Sequence, residues 1–94
     1  MEGTAMEKVP GGKLVRARVN YDQKIKIVKI TGDFFLHPEE AIVKIEECMA
    51  GFDKNVDQGY LAEKIREVVR SEGVQLIGVT EDAIARVVKG AMGK

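Results

Sequence analysis

The sequence predicts an α+β domain in which a small antiparallel sheet of two to three strands is followed by three helices packed on one face. Two observations lead to this prediction. Apolar and polar residues alternate in the first third of the chain, whereas apolar stripes at helical spacing follow from residue 38 onward. The 94 residues suffice for one domain, spanning 1–94. A chain of this size buries roughly 60–65% of the surface that its unfolded form exposes.

The first clear strand runs from Lys13 to Tyr21. Apolar and polar residues alternate along it, as is typical of a strand with one buried and one solvated face. The apolar positions are Val15, Ala17, Val19 and Tyr21. Gly11 and Gly12 precede this strand and predict a bend that leads into it from a short leader.

The second strand runs from Lys24 to Thr31 and follows a tight connection at Asp22-Gln23. It begins with Ile25 and Ile27 facing the core. The phase then shifts, because Val28 takes the next apolar position. Two explanations remain open: a β-bulge near Val28 that restores the register, or a Val28 side chain on the far face that is covered by something else.

The first of the three helices runs from Pro38 to about Ala50. Pro38 occupies the first helical position, where its missing amide hydrogen costs nothing. Glu39 and Glu40 fall in the first turn, where their charges suit the helix dipole. Gly51 is placed to end the helix.

The second and third helices have polar N-caps. Asp57 caps the second helix, which reaches about Glu72 and is ended by Gly73, and Thr80 caps the third. The apolar stretch 74–79 between them is either an extended linker or a weak strand.

Composition limits the function. Lys and Arg number 15, Asp and Glu number 15, and the formal net charge is +0, whereas nucleic-acid binders generally carry a basic excess. The N-terminus has no apolar signal-peptide core, and no run approaches membrane-spanning length, so we expect a cytoplasmic protein without membrane contact. The single cysteine, Cys48, cannot form an internal disulfide or a multi-thiolate metal site, and we expect it to be a buried structural thiol.

The segment Gly32–Glu40, GDFFLHPEE, holds the only histidine and two of the five aromatic residues. His37 lacks a second histidine for a metal site, and its place before a proline at a helix start favours a boundary residue over a general base. Adjacent residues in an extended segment point to opposite sides, so Phe34 and Phe35 cannot both enter the core easily. Either one of them is an exposed anchor for a protein contact, or both cover the core.

The motifs VPGGKLV at 9–15 and ITGDFFLHPEE at 30–40 resemble the C-terminal accessory domain of lipoate–protein ligases, and the resemblance covers nearly the whole chain. In that family the catalytic domain binds lipoate and ATP, makes lipoyl-adenylate and passes the lipoyl group to a lysine of an acceptor domain. The accessory domain is fused to it or is a separate small subunit. This chain begins at a methionine without a catalytic domain and resembles the separate subunit; an excised domain is the alternative.

The resemblance implies a non-catalytic subunit that acts with a catalytic subunit, as a heterodimer, in the ATP-dependent activation of lipoate, and that meets lipoyl-domain acceptor proteins indirectly. It implies no cofactor bound by this chain alone, with ATP, Mg and lipoate in the partner's site. Lys13, near the Gly11-Gly12 bend, is the candidate for approaching a phosphate. The implied partner-binding residues are Gly32, Asp33, Phe34, Phe35, Leu36, His37, Pro38 and Glu39.

The pattern of strands followed by helices, with the ending TEDAI at 80–84, also resembles iron–sulfur cluster scaffold proteins more distantly. This likeness implies a third, edge strand formed by the leader around Thr4 to Lys8. The three cysteine ligands of those scaffolds are missing from the comparable positions. These positions hold Gly11-Gly12, Leu36-His37 and Gly78-Val79. The alternative function is therefore a scaffold-like or general protein-interaction module without catalytic activity.

Overall fold

The computed structural model describes residues 1–11 and 13–93, and it confirms the predicted α+β class. Strands and helices follow one another in the expected order, with one unpredicted short strand before the first helix and a short strand within the stretch 74–79. The elements are β1 (Glu2–Lys8), β2 (Leu14–Tyr21), β3 (Ile25–Gly32), β4 (Phe35–His37), α1 (Ala41–Cys48), α2 (Gln58–Ser71), β5 (Gln75–Ile77) and α3 (Glu81–Ala91). No helix in the described ranges is long and apolar enough to span a membrane.

The main sheet is antiparallel, with the strand order β1-β2-β3. The leader forms the expected edge strand, which extends from Glu2 rather than only from Thr4. Ala17 at the centre of β2 lies opposite Ala5 on one side and Ile30 on the other. Alternate residues of β2 are buried against the helices, as the period-two pattern predicts.

A β-bulge corrects the phase of β3 at Lys26. Asn20 pairs with Ile27 while Tyr21 pairs with Ile25, so Lys26 is the extra residue. The inserted residue shifts the alternation by one position, which brings Val28 into the core. The prediction that Ile27 faces the core is wrong: its side chain is 63% exposed. A bulge was one of the two open explanations, and it lies two residues before Val28.

The three helices form one layer on one face of the main sheet. Helix α3 packs across β1 and β2, α1 packs against β3, and α2 packs against α1 and α3. The close approach of α3 to β1 requires a glycine, because a Cβ at Gly3 would lie 1.8 Å from the carbonyl oxygen of Ala91. The largest fully buried side chains between the layers are Ile25, Ile45, Met49, Leu61, Ile65 and Ile84.

Both predicted N-caps are confirmed. The Asp57 carboxylate accepts a hydrogen bond from the Tyr60 amide at 3.1 Å, and the Thr80 hydroxyl accepts one from the Ala83 amide at 3.1 Å. These side chains satisfy amides that have no partner within the helix. Gly73 has a φ of 63°, a left-handed conformation that suits the end of α2.

Helix α1 is shorter than predicted at both ends. It begins at Ala41 and ends at Cys48 rather than running from Pro38 to Ala50. The Ala41 amide donates to the Pro38 carbonyl at 3.1 Å, and the two amides that follow make the same three-residue step. Pro38, Glu39 and Glu40 therefore form a tight turn ahead of the helix, and neither glutamate lies in its first turn.

Candidate partner-binding site

The middle of the segment Gly32–Glu40, residues Phe35–His37, forms one strand of a two-stranded antiparallel ribbon, β4–β5. Phe35 pairs with Ile77, Leu36 with Leu76, and His37 with Gln75. The strand alternative for 74–79 is therefore correct, and β4 itself is a strand that the sequence does not predict. Alternation turns one face of the ribbon outward and packs Leu36 and Leu76 against the core.

Phe34 and Phe35 point to opposite sides, as expected for adjacent residues in an extended segment. Phe34 is partly buried and packs against the core. Phe35 is 62% exposed, and its cross-strand neighbour Ile77 is 48% exposed. The alternative in which both rings cover the core therefore does not hold, and Phe35 and Ile77 form an apolar pair open to solvent.

Lys13 adds a positive charge to this pair. Its Nζ lies 5.9 Å from the centroid of the Phe35 ring, near the outer limit for a cation–π contact. Its aliphatic stem covers Gly78, where an added Cβ would lie 3.1 Å from the Lys13 Cγ. We call Lys13, Phe35 and Ile77 the ribbon patch. It is an apolar surface with a cation at its edge.

Gly32, the last residue of β3, and Asp33 directly precede the aromatic pair Phe34-Phe35, and their contacts with β2 position that pair. The Asp33 amide donates to the Leu14 carbonyl at 3.1 Å, and the Asp33 carboxylate accepts from the Leu14 amide. An added Cβ at Gly32 would lie 2.1 Å from that same carbonyl oxygen and 2.9 Å from the Phe34 ring. These two residues have a role within the chain, and their contact with a partner remains a prediction.

His37, Pro38 and Glu39 lie at the far end of β4 and in the turn before α1. His37 and Glu39 are exposed, Pro38 is half-buried, and the peptide bond between His37 and Pro38 is cis. Within residues 1–11 and 13–93, the His37 side chain has no hydrogen-bond partner, so nothing there orients it as a general base. Its contact with a partner remains a prediction.

The described residues on either side of Gly12 lead into a strand, not into the helix that a helix-terminal phosphate cradle requires. Gly12 lies outside the described residues. The Val9 amide donates to the Lys13 carbonyl at 2.8 Å, and the chain continues directly into β2. Phosphate cradles of the glycine-rich type instead lead into a helix whose amides point at the anion.

Ile77 is the member of the ribbon patch that sequence reasoning missed. The apolar stretch 74–79 is compatible with a strand, but it is too short for its pattern to distinguish a strand from a linker. Nothing in the local sequence indicates that this stretch pairs with Phe35–His37, which lies about forty residues earlier in the chain.

The described residues offer little for metal or thiol chemistry. Among the described residues, no group of three or more His, Cys, Asp or Glu side chains could hold a metal ion. The Cys48 Sγ donates to the Ile45 carbonyl at 3.0 Å, and its burial, reinforced by the nearby Glu67 carboxylate, raises the pKa of the thiol to about 11. The thiolate, which is the ligand and nucleophile, is therefore rare at neutral pH.

Comparisons with known proteins find similarity at the level of structure. No family model matches the chain, and no curated protein sequence is significantly similar to it. A solved structure superposes with a TM-score of 0.75 and 26% sequence identity, covering 94% of this chain and 94% of that chain. It comes from an archaeal lipoylation system, a bi-partite lipoate protein ligase and its E2 lipoyl domain from Thermoplasma acidophilum. The chain resembles a component of a lipoylation system. The likeness covers 94% of the chain and suggests a lipoate-related role.

Proposed function

We propose that this chain is the non-catalytic accessory subunit of a two-part lipoate–protein ligase. With its catalytic subunit it supports the ATP-dependent conversion of lipoate to lipoyl-adenylate, before transfer to a lysine of a lipoyl-domain protein. The observation that carries the proposal is the structural likeness, over 94% of the chain, to a component of such a system. The ITGDFFLHPEE motif, which resembles the accessory domain specifically, supports the choice of component.

The ribbon patch is the surface that we expect to dock on the catalytic subunit. Phe35 and Ile77 offer adjacent apolar side chains on a hydrogen-bonded ribbon, so little conformational entropy is lost when they are covered. Large exposed aromatic side chains of this kind are common anchors of protein interfaces. Docking at this patch would close the adenylation site, orient its groups and exclude water.

Lys13 is the residue of this chain that we expect to come nearest to a bound phosphate. Because its ammonium lies beside Phe35, a partner that covers Phe35 also draws Lys13 into the interface. A cation attracts an anion more strongly when water is excluded from around it. ATP, Mg and lipoate would be held by the catalytic subunit, and we propose a cytoplasmic location because the reaction consumes ATP.

The proposal is tested by mixing the chain with the catalytic subunit from the same organism, lipoate and ATP, and by following pyrophosphate release. We expect release to be slow with either protein alone and fast with both. Equal rates with and without the chain would show that it is not needed for activation. Co-purification from the source organism is the independent check, because the catalytic subunit should be recovered in a stable pair with the chain.

The cluster-scaffold alternative gains no support from the only cysteine. Cys48 lies in helix α1 with its thiol directed at a backbone carbonyl and its pKa raised. Metal analysis of protein purified without chelator tests this alternative. Stoichiometric iron or zinc would favour the scaffold over the ligase subunit.

A further inference from the structure

The face of the main sheet opposite the helices is open to solvent and carries three cations at its centre. Arg16 and Arg18 point outward from β2, and Lys29 points outward from β3. Arg18 lies directly opposite Lys29 in the strand register. With Thr31, the three side chains line one shallow depression, so a group placed there can reach all of them. We call Arg16, Arg18 and Lys29 the basic face.

No carboxylate among residues 1–11 and 13–93 pairs with the basic face. The ion pairs of those residues are Asp22–Lys26, Lys44–Glu72, Lys64–Glu67, Arg66–Glu63, Arg66–Asp82, Arg70–Glu63 and Arg86–Glu7. Glu2, the acidic residue at an outward position of the three strands, lies at the end of β1 opposite Asn20. Because like charges directly across a strand pair destabilise a sheet, folding alone does not explain this arrangement.

The residues around the basic face fit a protein partner better than a nucleic acid. Met6, opposite Arg16, is 56% exposed, and Met and Arg are both enriched at protein interfaces. The guanidinium groups of Arg16 and Arg18 match carboxylates in a two-point geometry. No aromatic side chain stands at an outward position of the three strands to stack a base, and the chain has no net positive charge. The complementary surface is therefore a carboxylate-rich protein face.

We infer that the basic face receives the acceptor domain, through carboxylates on the surface of that domain. This inference rests on the proposed function. An acceptor must arrive, react and leave in each turnover, and charged polar faces favour fast, reversible and salt-sensitive encounters. The ribbon patch instead offers the apolar contact suited to a lasting subunit pair. The two surfaces therefore have different partners: the ribbon patch binds the catalytic subunit, and the basic face binds the acceptor domain.

The test compares an Arg16→Glu/Arg18→Glu double variant with a Lys44→Glu/Arg70→Glu control. The control makes the same change in net charge on exposed helical positions. In lipoyl transfer by the assembled pair, we expect the first variant to raise the KM for a purified lipoyl domain from the same organism at least about tenfold, as expected when several facing charges are reversed. We expect the kcat and the control to change by less than about twofold, the small effect of charges outside an interface. The milder Arg16→Gln/Arg18→Gln variant serves if the first does not fold.

A direct binding measurement accompanies the kinetics. In an NMR titration of the isotope-labelled chain, the unmodified lipoyl domain should shift the amides of β2 and β3 and leave those of α2 in place. Equal KM values for the two variants, or shifts confined to the helices, would overturn the inference. So would tighter binding of a 20-nucleotide DNA or of anionic vesicles to the same face, or loss of catalytic-subunit binding in the double variant.

The failures of the two proposals are distinguishable. Pyrophosphate release in the absence of acceptor tests the proposed function, and we expect the double variant to support it normally. Stimulated release with an unchanged acceptor KM would overturn only the role of the basic face. If the rate of pyrophosphate release is the same with and without the chain, the proposed function itself is wrong.

Discussion

The ribbon patch and the basic face are both exposed, but they differ in how the chain supports them. The ribbon patch is positioned by the residues that precede it. Asp33 is hydrogen-bonded to Leu14, Gly32 lies close to the same residue, and Phe34 packs against the core. The basic face has no such support, and its cations lie beside one another without carboxylates from the described residues. A surface whose position is fixed by the residues beneath it suits binding in one defined geometry. A surface of unpaired charges suits electrostatic attraction of a partner at a distance.

The largest effect is expected from Gly32→Ala, which disrupts the backbone contacts that position the ribbon patch. The new Cβ would lie 2.1 Å from the Leu14 carbonyl oxygen, so the strand end or the ribbon must move. We expect the free energy of unfolding to fall by about 3 kcal/mol, in the range of steric and backbone-strain substitutions. Chemical denaturation measures it. Gly51→Ala is the control for a positive-φ glycine without a clash: its φ is 93° against 157° at Gly32, no atom lies within 4 Å of the added Cβ, and we expect a smaller loss there.

Phe35→Ala removes the ring of the ribbon patch without disturbing what lies beneath it. Because Phe35 is 62% exposed, we expect little change in folding stability. Association with the catalytic subunit should weaken by about 2 kcal/mol, which is typical of an aromatic anchor. Calorimetry of the purified pair measures this. Tyr60→Ala, at an aromatic residue 49% exposed on α2, is the control. Equal affinity of wild-type and Phe35→Ala proteins would remove the docking role of the patch.

Binding at the two surfaces should depend differently on salt concentration. Between 50 and 300 mM salt, the acceptor KM should rise about fivefold or more, since screening weakens exposed charge–charge attraction. The affinity for the catalytic subunit should change by about twofold or less, because apolar contacts carry it. Both are measured on the same preparation. A steep salt dependence of subunit association, with an acceptor KM that does not change, would reverse the assignment of the two surfaces.

The sequence alone predicts much of the layered fold but less of the ribbon patch. Asp57 and Thr80 signal their helices because a capping side chain acts within three residues of its own position. The pair Phe34-Phe35 stands out because adjacent extended residues cannot share one face, but the sequence does not decide which ring is exposed or whether both cover the core. Ile77, the cross-strand partner of Phe35, does not stand out, because strand pairing over a long sequence separation depends on the assembled core.

The same limit explains two errors of detail. The inward assignment of Ile27 failed because one inserted residue, Lys26, reverses the alternation, and the phase shift in the sequence does not show at which residue the bulge lies. Pro38 suits the first position of a helix and equally the turn that precedes one. The pairing of Phe35–His37 with β5 and the three-residue hydrogen bonds after Pro38 select the turn.

The Arg86–Glu7 pair provides a contrast with the unpaired cations of the sheet. The Arg86 Nε donates to the Glu7 carboxylate at 2.7 Å, and this hydrogen bond holds the pKa of Glu7 below its ordinary value of 4.5. A lowered folded-state pKa stabilises the protein above about pH 4.5, and that contribution is lost as the pH falls through the folded value. Because the pair is partly exposed, Glu7→Gln should cost about 0.5–1 kcal/mol at pH 7.

Denaturation of the wild-type and Glu7→Gln proteins at pH 7 and at pH 3 tests this contribution. The difference between the two should shrink toward acid, as Glu7 becomes protonated in the folded protein. A difference that stays constant with pH would mean that Glu7 acts through packing against α3 rather than through its charge.

Arg18→Gln should have the smallest effect, and in the opposite direction. Arg18 faces Lys29 across the strand pair, and neither has a carboxylate partner among the residues that the structure describes. Removing one of two facing like charges should raise the free energy of unfolding by about 0.2–0.5 kcal/mol, while the affinity for the acceptor falls. Chemical denaturation at low salt measures this increase in the free energy of unfolding. The increase should become smaller at higher salt, because salt screens the repulsion. A loss of stability would show that Arg18 supports the sheet, and the basic face would then need no partner to explain it.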